Sequence, residues 1–425
     1  MPQQLLQNPT FSLLSMLALL ATGCPGDDGS AEGGSGDSSS TSDPTTTETP
    51  PTTMNSTGPG GSGSTAADET ATDTGNPTCD VSLDDWTAPD WDANAASALA
   101  LRDQLDTLTG DMTMRGAETG AVMIGALSEL TDVWNAGDPS LASAANPGYV
   151  AVVEASLEDF IDILDAGVVS LIDMDGNWTP GNAGGIWGED SRGINEGGLE
   201  VRQLVDKGAY SAGILYAYAL SLTEGEINAA TIDAIAAAWG NNPTLDTEDL
   251  TDAAGYSYSM GFHADMATAL TAAKVLSDNP DCTAERDEAV VTFFNLWELT
   301  MYARVVFYGN RAEGKLLAAM TETELASVLH DLAEGIGLGA GFIGLPEPAS
   351  GPLSGAGRVI TDDQITEIMD AYGVDLTNLG ASTTGLFVES LPDLETANTE
   401  AEAVVMTVFE VDEAAIMGYA NPTPG

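Results

Sequence analysis

TAERDEAVVTFFNLWELTMYARVVFY, residues 283–308, decides the fold class. Phe294, Trp297, Met301, Val305 and Tyr308 recur in it at steps of three and four residues. That is the repeat of one face of an α-helix, and no glycine or proline interrupts it. The stretch therefore predicts a long helix with a buried aromatic stripe.

The same spacing spreads outward from this segment. TETELASVLHDLAEGIGLGAGF, residues 321–342, carries Leu325, Leu329, Leu332 and Ile336. Further helices are expected over 90–109 (Leu99, Leu101, Leu105, Leu108), over 113–134 (Val122, Met123, Leu127, Leu130, Trp134), and over 147–170. Pro147 suits a helix start, because its missing N–H is not needed there. Segments 199–222, 226–239, 255–276, 362–372 and 399–419 also read as helices, and Pro346, Pro348 and Pro352 break the pattern between them. Residues 173–198, DMDGNWTPGNAGGIWGEDSRGINEGG, read as a long glycine-rich loop. No alternating strand set and no solenoid-length repeat occurs. The expectation is an all-α domain over residues 81–425, built as one helical bundle or as two bundled halves.

The chain starts differently. FSLLSMLALLA, residues 11–21, has the length of a signal-peptide core and is too short to span a bilayer as a mature helix. It leads into Ala21, Thr22, Gly23 and Cys24, which resemble the lipobox of bacterial lipoproteins, with Ala21 where leucine is more usual. No Lys or Arg precedes the apolar run. The expectation is a signal peptide over 1–23, acylation of Cys24, and a disordered tether over 24–80. The tether is Ser, Thr, Gly, Pro, Asp and Glu almost throughout, so it cannot offset its ordering entropy by burial. Its root-mean-square reach as a flexible chain is about 40 Å.

The chain holds 66 acidic and 11 basic residues. The first 80 residues contain none of the basic ones, so a strongly negative charge falls on the domain. Nucleic acid and anionic headgroups are repelled by such a surface. The membrane contact expected is therefore through the lipid alone. The acidity itself reads as a solubilising surface, or as a surface for cations or a basic partner. With Cys24 acylated, Cys79 and Cys282 remain, and an exported compartment permits a bridge between them.

The chain has only two histidines, His263 and His330, which excludes a His-rich metal site. His263 falls in the stripe Tyr256, Met260, His263, Ala267, Leu270, where a core histidine is the first reading. His330 and Glu334 stand four apart, so both project from one helical face. Such a pair can ligate a divalent metal if another helix completes the site, or can simply border the core as a hydrogen-bonded pair. Arg304 interrupts the aromatic stripe and needs a carboxylate, for which Glu200 or Glu334 is the candidate. Glu200, Gln203 and Lys207 share a second face, and the three charged residues Glu200, Lys207 and Arg304 are expected to form a structural polar network. Asp173, Asp175 and Asn177 begin like a calcium loop, but Trp178 and Gly184 stand where an EF-hand needs Gly and Glu. No G-x-S-x-G, H-E-x-x-H or P-loop pattern occurs.

EVRQLVDKG at 200–208, DAAGY at 252–256, ARVVFYGN at 303–310 and HDLAEGIG at 330–337 follow one another in order. Together they resemble the helix motifs of an uncharacterised family of helical surface lipoproteins distantly similar to imelysin. The resemblance spans roughly residues 85–345. It implies an all-α fold of two helical bundles, an envelope location, and a link to iron uptake or peptidase activity. It also implies a metal role for His263, because Gly261, Phe262 and His263 fit the start of the imelysin G-x-H-x-x-W/E pattern, although Met266 stands at its last position.

The function expected is non-enzymatic: a lipid-anchored helical protein of the outer envelope or cell surface that binds a divalent metal or an iron-containing ligand. His330 and Glu334, with His263, would be its ligands. The alternative is a structural or interaction lipoprotein that docks an envelope partner. An envelope peptidase is the third reading.

Overall fold

The stripe that opens the sequence argument is buried along its length. Phe294, Trp297, Met301, Val305 and Tyr308 are all enclosed. The helix carrying them runs from Thr283 to Ala318, 36 residues. Its length is about 54 Å at 1.5 Å per residue. The computed structural model describes residues 79–117, 126–225, 227–351, 353 and 355–422. The expected signal peptide 1–23, the acyl site Cys24 and residues 24–78 of the expected tether lie outside the described residues, as do Val122 and Met123.

In chain order the helices are α1 (Trp91–Asn94), α2 (Ala96–Ala117), α3 (Ala126–Asn135), α4 (Leu141–Ala144), α5 (Pro147–Ala166), α6 (Val201–Gly208) and α7 (Leu215–Ser221). They continue as α8 (Ala229–Trp239), α9 (Asp252–Ser259), α10 (His263–Val275), α11 (Thr283–Ala318), α12 (Glu322–Ala340), α13 (Asp362–Ala371), α14 (Leu391–Phe409) and α15 (Glu413–Ala420). The fold is all-α, with one small hairpin. The described residues fall within one compact unit.

α11 is the axis, packed by α10, α12, α14 and α15, and α12 in turn packs on α6. The core thickens around Tyr216, whose ring meets Phe294, Trp297 and Phe342 at 5.2, 5.3 and 5.2 Å between centroids, edge to face. That geometry aligns the positive ring edge with the negative ring face. The turn into α12 is set by a capping box: Thr321 Oγ1 accepts from the Glu324 N–H, and the Glu324 carboxylate accepts from the Thr321 N–H.

Several expected helices are interrupted, each for a local reason. The 199–222 segment passes through a π-helical turn, Ala209–Gly213. Tyr149 of α5 is wedged there: its hydroxyl donates to the Leu204 carbonyl at 2.7 Å, and its ring fills the space a side chain would take at Gly208 or Gly213. The 255–276 segment breaks at Gly261, with φ +82°, so His263 opens α10 and does not continue a stripe from Tyr256. The 399–419 segment breaks at Glu410, and Asp412 caps α15 by accepting from the Ala415 N–H at 2.9 Å. Leu99, placed on a buried face by its spacing, points outward, while Leu101, Leu105 and Leu108 point in.

The glycine-rich 173–198 segment is not wholly loop. Strands β1 (Gly185–Trp187) and β2 (Arg192–Ile194) pair antiparallel within it, with Gly185 opposite Ile194 and Trp187 opposite Arg192. Strands this short show no readable alternation. The hairpin packs on α5 and α12, burying Ile186 and Trp187.

Cys79 is joined to Cys282, with 5.8 Å between Cα atoms, across a sequence separation of 203 residues. The first described residue is thereby fastened to the residue that precedes α11. Closing so long a loop restricts the unfolded chain. Reduction, or Cys79→Ser, is expected to lower unfolding free energy by about 2–5 kcal/mol in denaturant titrations. An unchanged midpoint would contradict this.

Glu298, midway along α11, is fully buried. Its carboxylate accepts from the Val359 N–H at 2.6 Å and the Ile360 N–H at 2.8 Å, holding the segment before α13 onto the axis. Burial pushes its pKa up to about 8, against those two donors and Arg358, which pull it down. A folded-state pKa above the ordinary carboxylate value adds stability at low pH and loses it as pH rises through that folded value. The stability difference between the native protein and Glu298→Gln should therefore shrink from about pH 5 to about pH 9. A difference constant with pH, measured by urea unfolding, would count against the assignment.

Candidate functional site

His330 lies in the middle of α12, where the helix turns its polar residues toward α6. Glycines make that approach feasible. A side chain at Gly337 would meet the Gln203 carbonyl and the Lys207 Cβ, so only glycine allows α6 this close. Glu200, directly before α6, is aimed by the turn ahead of it. Asn195 Oδ1 accepts from the Gly197 and Leu199 N–H groups, each at 3.0 Å, and Gly198 takes φ +89°. The NEGGLE sequence thus delivers a carboxylate to the start of α6.

Glu200 Oε2 lies 2.7 Å from His330 Nδ1. Burial alone would raise the Glu200 carboxyl, but the charge and hydrogen bond of His330, with Arg192 and Arg202, hold its pKa down at about 2. Arg192 Nη1 also lies 2.7 Å from Nδ1, and Gln203 Nε2 lies 3.3 Å away. One ring nitrogen cannot donate to Glu200 and accept from Arg192 at once. A buried carboxylate can only accept, so Glu200 fixes the proton on Nδ1. Arg192 is the partner that yields: it sits on the hairpin, with Asp190 and Glu200 both at 3.8 Å.

Once the ring is neutral, with its remaining proton on Nδ1, Nε2 carries the lone pair. It faces Glu334 Oε2 at 3.7 Å. That is too long for a hydrogen bond. It is a few tenths of an ångström wider than the about 3.3–3.4 Å that separates two ligands about 2.0–2.1 Å from one tetrahedral ion. Asp331 joins them: ligand atoms of His330, Asp331 and Glu334 all lie within 4.8 Å of one another, and all three residues are buried. The side-chain oxygen of Gln203, enclosed beside His330, has no hydrogen-bond partner.

Cations balance these carboxylates from within the fold. Lys207 Nζ lies 3.3 Å from Glu334 Oε1 and rests over the Tyr210 and Tyr256 rings at 5.5 and 5.8 Å. Burial opposes the Lys207 charge, but the phenols of Tyr210 and Tyr256 and the carboxylates of Asp206 and Glu334 raise its pKa. Lys315 and Arg311 reach Asp331 at 2.8 and 3.4 Å. Burial raises the Asp331 carboxyl, and these two cations offset it in part.

Not every expected member is present at this cluster. His263 is elsewhere: its ring stacks on Trp239 at 5.0 Å, and its Nε2 meets Asn241 Nδ2 at 2.8 Å. It shares no partner with His330 and belongs to none of the metal-ligand groupings among the described residues. Burial lowers its pKa, against a smaller opposing pull from Asp246, which suits a neutral, packed imidazole. Arg304 meets aromatic side chains. It donates to the Tyr308 hydroxyl at 2.9 Å and lies over the Tyr256 and Phe307 rings at 4.4 and 4.2 Å. Asp173 is absorbed by its own turn, accepting from the Asp175 and Asn177 N–H groups at 2.8 and 2.9 Å. The sulfurs of Cys79 and Cys282 are spent on each other.

Spacing did not single out Asp331 or Arg192. Asp331 follows His330 directly, so a helical wheel turns it away from that face. Arg192 approaches from a hairpin that no periodicity announces.

His330→Ala would leave Glu200 buried with only the more remote charges of Arg192, at 3.8 Å, and Arg202 to balance it. Removing one partner of a buried ion pair costs roughly 3–5 kcal/mol. Glu200→Gln, which keeps an acceptor for Nδ1–H, should cost less. Equal losses for the two variants in urea unfolding would contradict the pairing. No protein-family model, no curated protein and no solved structure matches this chain.

Proposed function

We propose that this is a lipid-anchored, non-enzymatic envelope protein that binds a divalent metal ion at His330 and Glu334. The observation that carries the metal reading is the 2.7 Å contact of His330 Nδ1 with buried Glu200, with Nε2 turned toward Glu334 at 3.7 Å. Metal-ligating histidines characteristically donate their second ring N–H to a carboxylate, which fixes tautomer and orientation. Glu200 stands in that position. Asp331 supplies a nearby third donor, a carboxylate oxygen. One imidazole among oxygens suits zinc, iron or manganese better than a soft monovalent ion. The anchor rests on the sequence at 11–24, and the tether on the composition that follows.

Titration of purified protein with zinc and with ferrous iron, read by thermal unfolding and elemental analysis, tests the metal reading. About one equivalent should bind. Saturation at about a hundred times Kd should stabilise the fold by about 2.7 kcal/mol. His330→Ala and Glu334→Ala should abolish binding, and Glu200→Gln should weaken it about 10–100-fold. Metal-free protein whose unfolding ignores both ions would contradict the reading.

A second reading has its own support. Lys207, Lys315 and Arg311 already pair with Glu334 and Asp331, as in a network that only fixes how α6, α11 and α12 pack. An unresponsive protein would favour that one, with function residing on the acidic exterior.

A further inference from the structure

We infer that the end of the domain formed by the α11–α12 turn and the 168–174 segment docks a protein partner that presents an apolar pocket rimmed by Lys and Arg. Four of the most exposed large apolar side chains lie in these two segments: Val168 at 63%, Met174 at 104%, Leu317 at 73% and Met320 at 90% exposure. The segments are bound together. Ser170 Oγ donates to Glu322 Oε1 at 2.7 Å, and Trp187 Nε1 donates to Glu322 Oε2 at 3.0 Å. Scattered exposed leucines need no explanation, but side chains this bare on two adjoining segments leave apolar area in water.

Charge selects the occupant. Met174 stands between exposed Asp173 and Asp175, and exposed Glu189 is held to the α12 start by its N–H on Thr323 Oγ1 at 3.1 Å. Every described Lys and Arg side chain on the domain is at least partly buried. Arg311 and Lys315, near the end of α11, are engaged with Asp331, and Arg192 on the hairpin faces Asp190 and Glu200. An acidic rim repels an anionic lipid surface, and it repels a second copy of itself. It complements a basic rim around an apolar pocket. Position agrees with this. The bridged pair Cys79–Cys282 lies at the opposite end of α11, about 54 Å away by helix rise, so this end stands far from where the chain enters the domain.

The test uses the full chain in its native cells, with a photo-crosslinking amino acid at Met320 and, as a control, at Val275. Val275 is also partly exposed but lies beside the Cys282 end. The expected result is one dominant protein adduct from Met320 and none from Val275. Its yield should fall about tenfold or more with Met174→Ser plus Leu317→Ser, and equally with Asp173→Lys plus Glu189→Lys. The captured protein should carry the basic-rimmed pocket. Circular dichroism of these surface variants should match the native chain. An absent adduct, equal adducts from both positions, an adduct with lipid or a second copy, or a yield unmoved by charge reversal would each overturn the proposal.

Discussion

The contact between His330 Nδ1 and Glu200 is the interaction on which the centre of this fold depends. An unpaired carboxylate at that depth would be costly, and the chain has few cations to spend on it. Its 11 basic residues face 66 acidic ones. The fold responds by drawing its cations inward: Lys274 pairs with Asp233, Lys207 with Glu334, Lys315 with Asp331, and Arg358 with Asp362. The interior is neutralised at the expense of the exterior, which is left acidic. The His330 cluster is the place where this pairing meets an imidazole.

That constraint also explains the helix arrangement. α6 must approach α12 closely enough for Glu200, Gln203 and Lys207 to reach His330 and Glu334. Gly337 permits the approach, and the Asn195 turn aims Glu200. Tyr149 and the π-helical turn at Ala209–Gly213 then redirect the chain into α7, where Tyr216 joins the aromatic core on α11. Packing and polar pairing are thus two faces of the same helices. The apolar stripe of α11 supplies the burial, and the burial sets the energetic stakes of each charge.

Much of this was legible in the sequence. The stripe from Phe294 to Tyr308 gave the central helix, because a three-four repeat has one good structural solution. The shared face of Glu200, Gln203 and Lys207, and the pairing of His330 with Glu334, followed from the same geometry. What was not legible depended on contacts between segments remote in sequence. Tyr149 breaking the 199–222 helix, Arg192 arriving on a short hairpin, and Arg304 resting among aromatic rings are tertiary facts. Gly261, whose positive φ separates α9 from α10, was read as part of a continuous helix, so Tyr256 and Met260 do not continue the buried face that His263, Ala267 and Leu270 form on α10. The resemblance to imelysin-like proteins rests on the sequence motifs alone.

The central claim is that His330 Nε2 and Glu334 hold one metal ion while Glu200 orients the ring. Anomalous diffraction from crystals of the protein soaked in zinc, recorded on both sides of the zinc absorption edge, tests it most directly. The account predicts one peak about 2.0–2.2 Å from both His330 Nε2 and a Glu334 oxygen, with Lys207 moved off that carboxylate. Density showing His330 and Glu334 unchanged, Lys207 still on Glu334 and no anomalous peak between them would contradict it.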